Sequence, residues 1–149
     1  MNKMPMYPEL MIVPMREELT RLGIEEAKTA NDVDRAVAST QGTLMVVVNS
    51  ICGCAAGKMR PGLRMALQGS AATPNKSISV FAGQDQEATA QARQHFAGQP
   101  PSSPSIGIFR DGQLVYFMPR AAIETRDAMS IAQELQQAFA KYCAPVSSN

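Results

Sequence analysis

The chain has 149 residues, with fourteen basic against thirteen acidic side chains and a net charge of +1. That length suits one domain able to bury roughly two-thirds of its unfolded surface. The balanced charge, with no basic or acidic block, argues against nucleic acid and anionic membranes as partners. Three cysteines make no disulfide framework, and no apolar run reaches the roughly 18 residues of a membrane span.

Pro5, Pro8, Glu9 and Pro14 interrupt the opening segment, which therefore lacks the long apolar core of a signal peptide; a cytoplasmic location is expected. From Tyr7 to Gly23 the pattern predicts one or two helical turns and then a helix from near Pro14, with a break or kink at that proline. Met11, Met15, Leu19 and Leu22 recur at helical spacing as its buried stripe. Five of the ten methionines precede Arg16, and they are expected either to fill the core or to seat a second copy of the chain as a homodimer.

Ile24 to Lys28 reads as a short edge strand. Thr29 and Asp32 then carry the spacing of a capping pair, with Val33, Ala36 and Val37 as the apolar stripe of the helix behind it.

Leu44 to Val48 is a run of five apolar residues rich in β-branched side chains, predicted as a buried parallel strand. Asn49 and Ser50 end it, and Cys52-Gly53-Cys54 opens a helix. Cys52 thus falls where backbone N–H groups lack partners and the helix dipole favours negative charge, conditions that lower a thiol pKa from about 8.5. Cys52 is the candidate attacking thiol, and Cys54, expected to be more shielded, the candidate resolving thiol. Gly53 fits because a disulfide between residues so close in sequence demands unusual backbone, and the short ring is expected to be strained and exchangeable.

Two other readings stand beside this one. The cysteines could be buried structural residues. Alternatively Cys52, Cys54, Cys143 and the single histidine, His95, could bind zinc, although structural zinc motifs space paired cysteines by two to four residues.

Lys58 to Gln68 continues as a helix with Met59, Leu63, Ala66 and Leu67 inward and a bend at Pro61. Ser77 to Phe81 is a second inner strand. Asp85 is the expected N-cap of a helix that carries Ala88, Ala92 and Phe96 and stops at Gly98; His95 on its last turn suits the dipole and is given no chemistry. After the loop QPPSSPS, Ile106 to Phe109 and Leu114 to Met118 form a hairpin around Asp111-Gly112. A last helix runs from about Glu124 to Tyr142 with Met129, Ile131, Leu135, Ala138 and Phe139 on its core face, and Val146 to Asn149 are expected to fray. Cys143, at the carbonyl end of that helix, sits where the dipole disfavours a thiolate. Alternating elements of this kind give a mixed sheet with helices on both faces.

The segments VVVNSICGCAAGKMRP, VFAGQDQEATAQARQHF, PPSSPS and AFAKYC, in this order from Tyr7 to Cys143, resemble the bacilliredoxins, thioredoxin-like proteins with a Cys-Gly-Cys centre. The resemblance implies an α/β thioredoxin-like domain with a core from about residue 7 to 143 and an extra N-terminal helix. It implies a cis Ser103–Pro104 bond preceding the strand beside the cysteines, and a kinked helix after them. It implies no bound cofactor, with S-thiolated proteins as substrates and bacillithiol as the small-thiol co-substrate. It also leaves Cys143 open as a third redox thiol. The single residue between the cysteines is expected to make the couple more oxidising than the roughly −270 mV of thioredoxin, which keeps a disulfide isomerase role as an alternative. A metal-binding or purely interacting module is the alternative from another class.

Overall fold

A computed structural model describes residues 4–143. The sheet has five strands in the order β1-β3-β2-β4-β5: β1 (Glu25–Glu26), β2 (Thr43–Asn49), β3 (Lys76–Phe81), β4 (Ser105–Arg110) and β5 (Gln113–Met118). β3 runs parallel to both β1 and β2, whereas β4 is antiparallel to β2 and to β5. Each of the seven residues of β2 is buried, as a central strand covered on both faces requires.

Strand alternation divides β2 between two cores. Leu44, Val46 and Val48 join Ile78, Val80, Phe96 and Phe109 beneath α2 (Ala30–Ser39) and α4 (Gln86–His95). Met45 and Val47 join Met59, Leu63, Ile106, Ile131, Leu135 and Phe139 beneath α3 (Arg60–Gly69) and α6 (Ala128–Tyr142). The expected capping box opens α2, with Asp32 N–H donating to Thr29 Oγ1 at 3.0 Å and Thr29 N–H to the Asp32 carboxylate at 3.3 Å. Asp111 and Gly112, both with positive φ, turn β4 into β5.

Several expectations are corrected. The first helix, α1 (Glu9–Thr20), runs unbroken through Pro14. Leu10 and Pro14 lie on its exposed side, where water can take the carbonyl that proline cannot serve. Its buried stripe is Ile12, Arg16 and Leu19, one position away from the Met11 and Met15 stripe. Met4, Met6 and Met11 are exposed instead of filling the core. The deciding residue is Arg16, 7% exposed. It donates to both Asp85 carboxylate oxygens at 2.8 and 2.9 Å and to Glu9 and Glu26, and lies over the Phe81 ring. Asp85 precedes α4 as expected but does not cap it, because its carboxylate is taken by Arg16 and by the Phe81 N–H.

The last helix ends at Tyr142 as expected but begins at Ala128 and not near Glu124, and a short helix precedes it. α5 (Arg120–Glu124) is separated from α6 by a short turn in which Asp127 caps the Ser130 N–H at 2.8 Å. Met129, in the first turn of α6, is 61% exposed and not on the core face. The expected fraying at Val146 to Asn149 lies outside the described residues.

Candidate functional site: a dithiol at the end of the central strand

β2 ends at Asn49, and the helical run begins at Gly53. Cys52 is the residue before that first turn; its carbonyl accepts the Ala55 and Ala56 N–H groups at 3.0 and 3.1 Å. This is the strand-to-helix junction expected from the sequence, where unpaired amides collect.

Burial of Cys52 works against its charged form. That penalty is outweighed by the Ser50 hydroxyl, the Ala55 and Cys54 N–H groups and the positive charge of Arg120, so the thiol titrates below its ordinary value. Ser50 also accepts the Cys52 N–H at 3.2 Å, which fixes the hydroxyl beside the sulfur. Cys52 and Cys54 are both half-buried. The donors gathered on Cys52 set that thiol apart.

Gly53 has an ordinary helical backbone in the dithiol form, and a Cβ placed there would meet nothing within 4 Å. Any special demand on this glycine therefore belongs to the disulfide form and not to this one.

Pro61 does not simply bend the helix. A proline ring collides with the carbonyl four residues back in an α-helix. Here the chain widens into a π-helical turn over Ala55–Met59, whose bonding pattern takes the Arg60 N–H to the Ala55 carbonyl, before α3 resumes. The widened turn lies directly behind the dithiol.

Arg60, 3% exposed, supports the turn from beneath. Its Nη1 donates at 2.9 Å to Asn49 Oδ1 and to the Ser50 carbonyl, and its Nε lies 3.2 Å from Glu18 Oε1. Asn49 in turn accepts the Ser50 N–H at 2.9 Å and donates to the Met15 carbonyl. Ser50 is thus held on both backbone sides while its hydroxyl faces Cys52.

The Ser103–Pro104 bond is cis. Ser105 pairs with Val48 in the sheet, so the loop before β4 lies beside the end of β2 and hence beside the dithiol. Arg120 anchors that loop: its backbone N–H donates to Ser102 Oγ at 3.3 Å and its Nη1 to the Ser103 carbonyl at 3.2 Å. Lys58, on the π-helical turn, donates to the Glu124 carbonyl at 2.6 Å.

The remaining sequence candidates lie elsewhere. Cys143 ends α6, buried, with the Thr43 hydroxyl for a partner; its thiol titrates above the ordinary value because burial disfavours the charge. Thr43 begins β2, so Cys143 and the dithiol occupy opposite ends of one strand, about 20 Å apart at ~3.3 Å per residue. His95 Nε2 meets Asp34 Oδ1 at 2.8 Å and ties α4 to α2. The four residues weighed for zinc are therefore scattered, and among the described residues no group of three or more His, Cys, Asp or Glu is placed to hold a metal. No helix among the described residues is long and apolar enough to cross a membrane.

Ser50, Lys58, Arg60 and Arg120 were missed from sequence. Only Arg120 carries a local signal, in Pro119 as a helix start and the Arg120–Glu124 pair at i, i+4 spacing.

A family model described as a disulphide isomerase matches residues 7–143. A bacilliredoxin of Koribacter versatilis is 65% identical over 138 residues, covering 93% of this chain and 94% of its own length. One of Bacillus licheniformis is 44% identical over 137 residues, covering 92% and 95%. Among solved structures, the oxidised thioredoxin of Plasmodium falciparum superposes with a TM-score of 0.56 at 16% identity, over 81% of this chain and 99% of that one. At that identity the likeness concerns the fold, and the five-stranded mixed sheet flanked by helices is a thioredoxin fold.

Proposed function

The chain belongs to the bacilliredoxin family and is a thiol–disulfide oxidoreductase, and we propose that it acts on mixed disulfides between protein cysteines and a low-molecular-weight thiol, with Cys52 attacking and Cys54 resolving. The observation that carries the assignment is the set of donors around Cys52, namely the Ser50 hydroxyl, two backbone N–H groups and the charge of Arg120, which favour its thiolate.

The Cys52 thiolate attacks the small-thiol sulfur of the mixed disulfide. That S–S bond breaks, its electron pair leaves on the protein thiolate, which takes a proton from water, and a Cys52–small thiol disulfide forms. Cys54, as thiolate, then attacks Cys52 Sγ, expels the small thiolate and closes a Cys52–Cys54 disulfide. Two electrons pass from the dithiol to the substrate, and an external thiol reductant must return them.

The resemblance to bacilliredoxins and their name suggest bacillithiol as the small thiol, in a reducing compartment such as the cytoplasm. The description of the family model favours a second reading, isomerisation of protein disulfides by the same dithiol.

The test uses a reporter protein carrying one small thiol on a single cysteine, prepared separately with bacillithiol, glutathione and cysteine. Cys52→Ser is expected to release none of them. Cys54→Ser should complete the first attack and accumulate a Cys52 adduct visible by intact mass. An adduct forming on Cys54 in preference to Cys52 reverses the two roles, and reshuffling of a scrambled protein disulfide faster than any de-thiolation favours the isomerase.

A further inference from the structure

We propose that Arg120 is a positioning residue of the exchange reaction: its guanidinium holds the Ser103 carbonyl of the cis-proline loop in place and sets a positive charge beside the attacking sulfur. This rests on Cys52 being the attacking thiol.

Sheet register brings the parts together. Val48 pairs with Ser105 and Ile106 with Met118, so the segment entering β4 and the segment leaving β5 both reach the end of β2 from which the dithiol follows. Arg120 is the second residue after Met118. It bonds to the incoming loop twice, through its backbone N–H to Ser102 Oγ and through Nη1 to the Ser103 carbonyl. A side chain 43% exposed and anchored in this way keeps one charge at a fixed place on the rim of the site. That charge acts on the Cys52 sulfur.

Charged groups reach the dithiol from three elements. From α5 come Arg120 and Glu124, paired at 3.1 Å. From the π-helical turn comes Lys58, bound to the Glu124 carbonyl and acting also on Asp127 at the start of α6. From beneath, Arg60 is occupied by Asn49, Ser50 and Glu18. The loop before β4, residues 99–104, carries no charged side chain. Arg120 is accordingly the cation that acts on Cys52, and Glu124 is the counter-charge that damps it.

A purely structural role for Arg120 would leave the titration of Cys52 unchanged, which makes the pH profile the deciding readout. In a Cys54→Ser background, the rate of iodoacetamide alkylation of Cys52 is followed against pH. Arg120→Gln is expected to raise the midpoint by about half a unit, the size suited to a half-exposed charge, and so to slow alkylation roughly threefold below the midpoint. Glu124→Gln, which removes the counter-charge, should move the midpoint down. Arg120→Lys should restore the midpoint but not the rate of exchange with a mixed disulfide, because an ammonium cannot span Ser103 and Glu124 as the guanidinium fork does.

An unchanged midpoint in Arg120→Gln, or Arg120→Gln and Glu124→Gln shifting the same way, overturns the proposal. If Arg120→Gln loses its circular dichroism signal, the direction of the Glu124→Gln shift decides. Alkylation needs no disulfide substrate, so a protein that fails to de-thiolate any reporter yet shows these shifts refutes the proposed substrate class and not the role of Arg120.

Discussion

Around the dithiol, individual residues divide into those that hold the sulfur's donors and one that leaves room. Arg60 belongs to the first group: without it, Asn49 Oδ1 and the Ser50 carbonyl lose buried donors, and the turn that aims the Ser50 hydroxyl at Cys52 loses its support. Gly53 is the one that leaves room. Its backbone is already helical and a methyl group there has space, so Gly53→Ala should leave the reduced protein as stable as before or more stable by up to about 0.5 kcal/mol. Closing a disulfide from Cys52 to Cys54 forces non-helical backbone on the residue between, and there a Cβ is penalised. Gly53→Ala is therefore expected to shift the couple toward the dithiol, raising its reduction potential by about 10 mV for each 0.5 kcal/mol. Thermal unfolding of the reduced form together with titration in a glutathione redox buffer checks both halves. A destabilised reduced form with an unchanged potential would contradict the assignment of the glycine to the disulfide state.

Between elements, the approach of α3 to α6 is set by a missing side chain. A Cβ at Gly62 would lie 2.7 Å from Ile131 Cγ2 and 3.2 Å from the Ala128 carbonyl, so Gly62→Ala must push α6 off the face that holds the dithiol helix. A loss of about 1–3 kcal/mol in urea unfolding is expected, with the initial attack by Cys52 less affected than stability. The legibility of each element follows the range of the interactions that define it. The cap of α2, the Asp111-Gly112 turn and the strand running into Cys52 are local chemistry, and all were readable from the sequence. The buried face of α1 was read correctly at Leu19 and one position off at Met11 and Met15, because periodicity counts arginine as a surface residue. Arg16 is buried through partners that include Asp85, sixty-nine residues away. The same limit hid Arg60 beneath the site, while α5, at five residues, is too short for a helical period to register.

Over the whole molecule, β2 works as an axle with different thiols at its two ends. Cys52 follows its last residue, and Cys143 lies against its first. A disulfide needs Cα atoms within about 7 Å, far less than the ~20 Å length of this strand, so Cys143 cannot close onto either active-site sulfur of the same folded chain. The two ends also carry opposite electrostatics. The folded Cys52 thiol titrates below its unfolded value, so its contribution to stability is present above the unfolded thiol pKa and is lost as pH falls through the folded one. The folded Cys143 thiol titrates above its unfolded value, so its contribution is present below the unfolded pKa of about 8.5 and is lost as pH rises through the folded one. At pH 7, brief treatment with iodoacetamide is expected to label Cys52 and leave Cys143 unmodified until the protein is unfolded or made strongly alkaline, which peptide mass mapping resolves. Cys143→Ser should keep most of the single-turnover rate toward a mixed disulfide, with its cost appearing instead as a modest loss of stability where the buried thiol met Thr43. A loss of turnover as complete as that of Cys52→Ser would require a route between the two ends that passes through a second molecule.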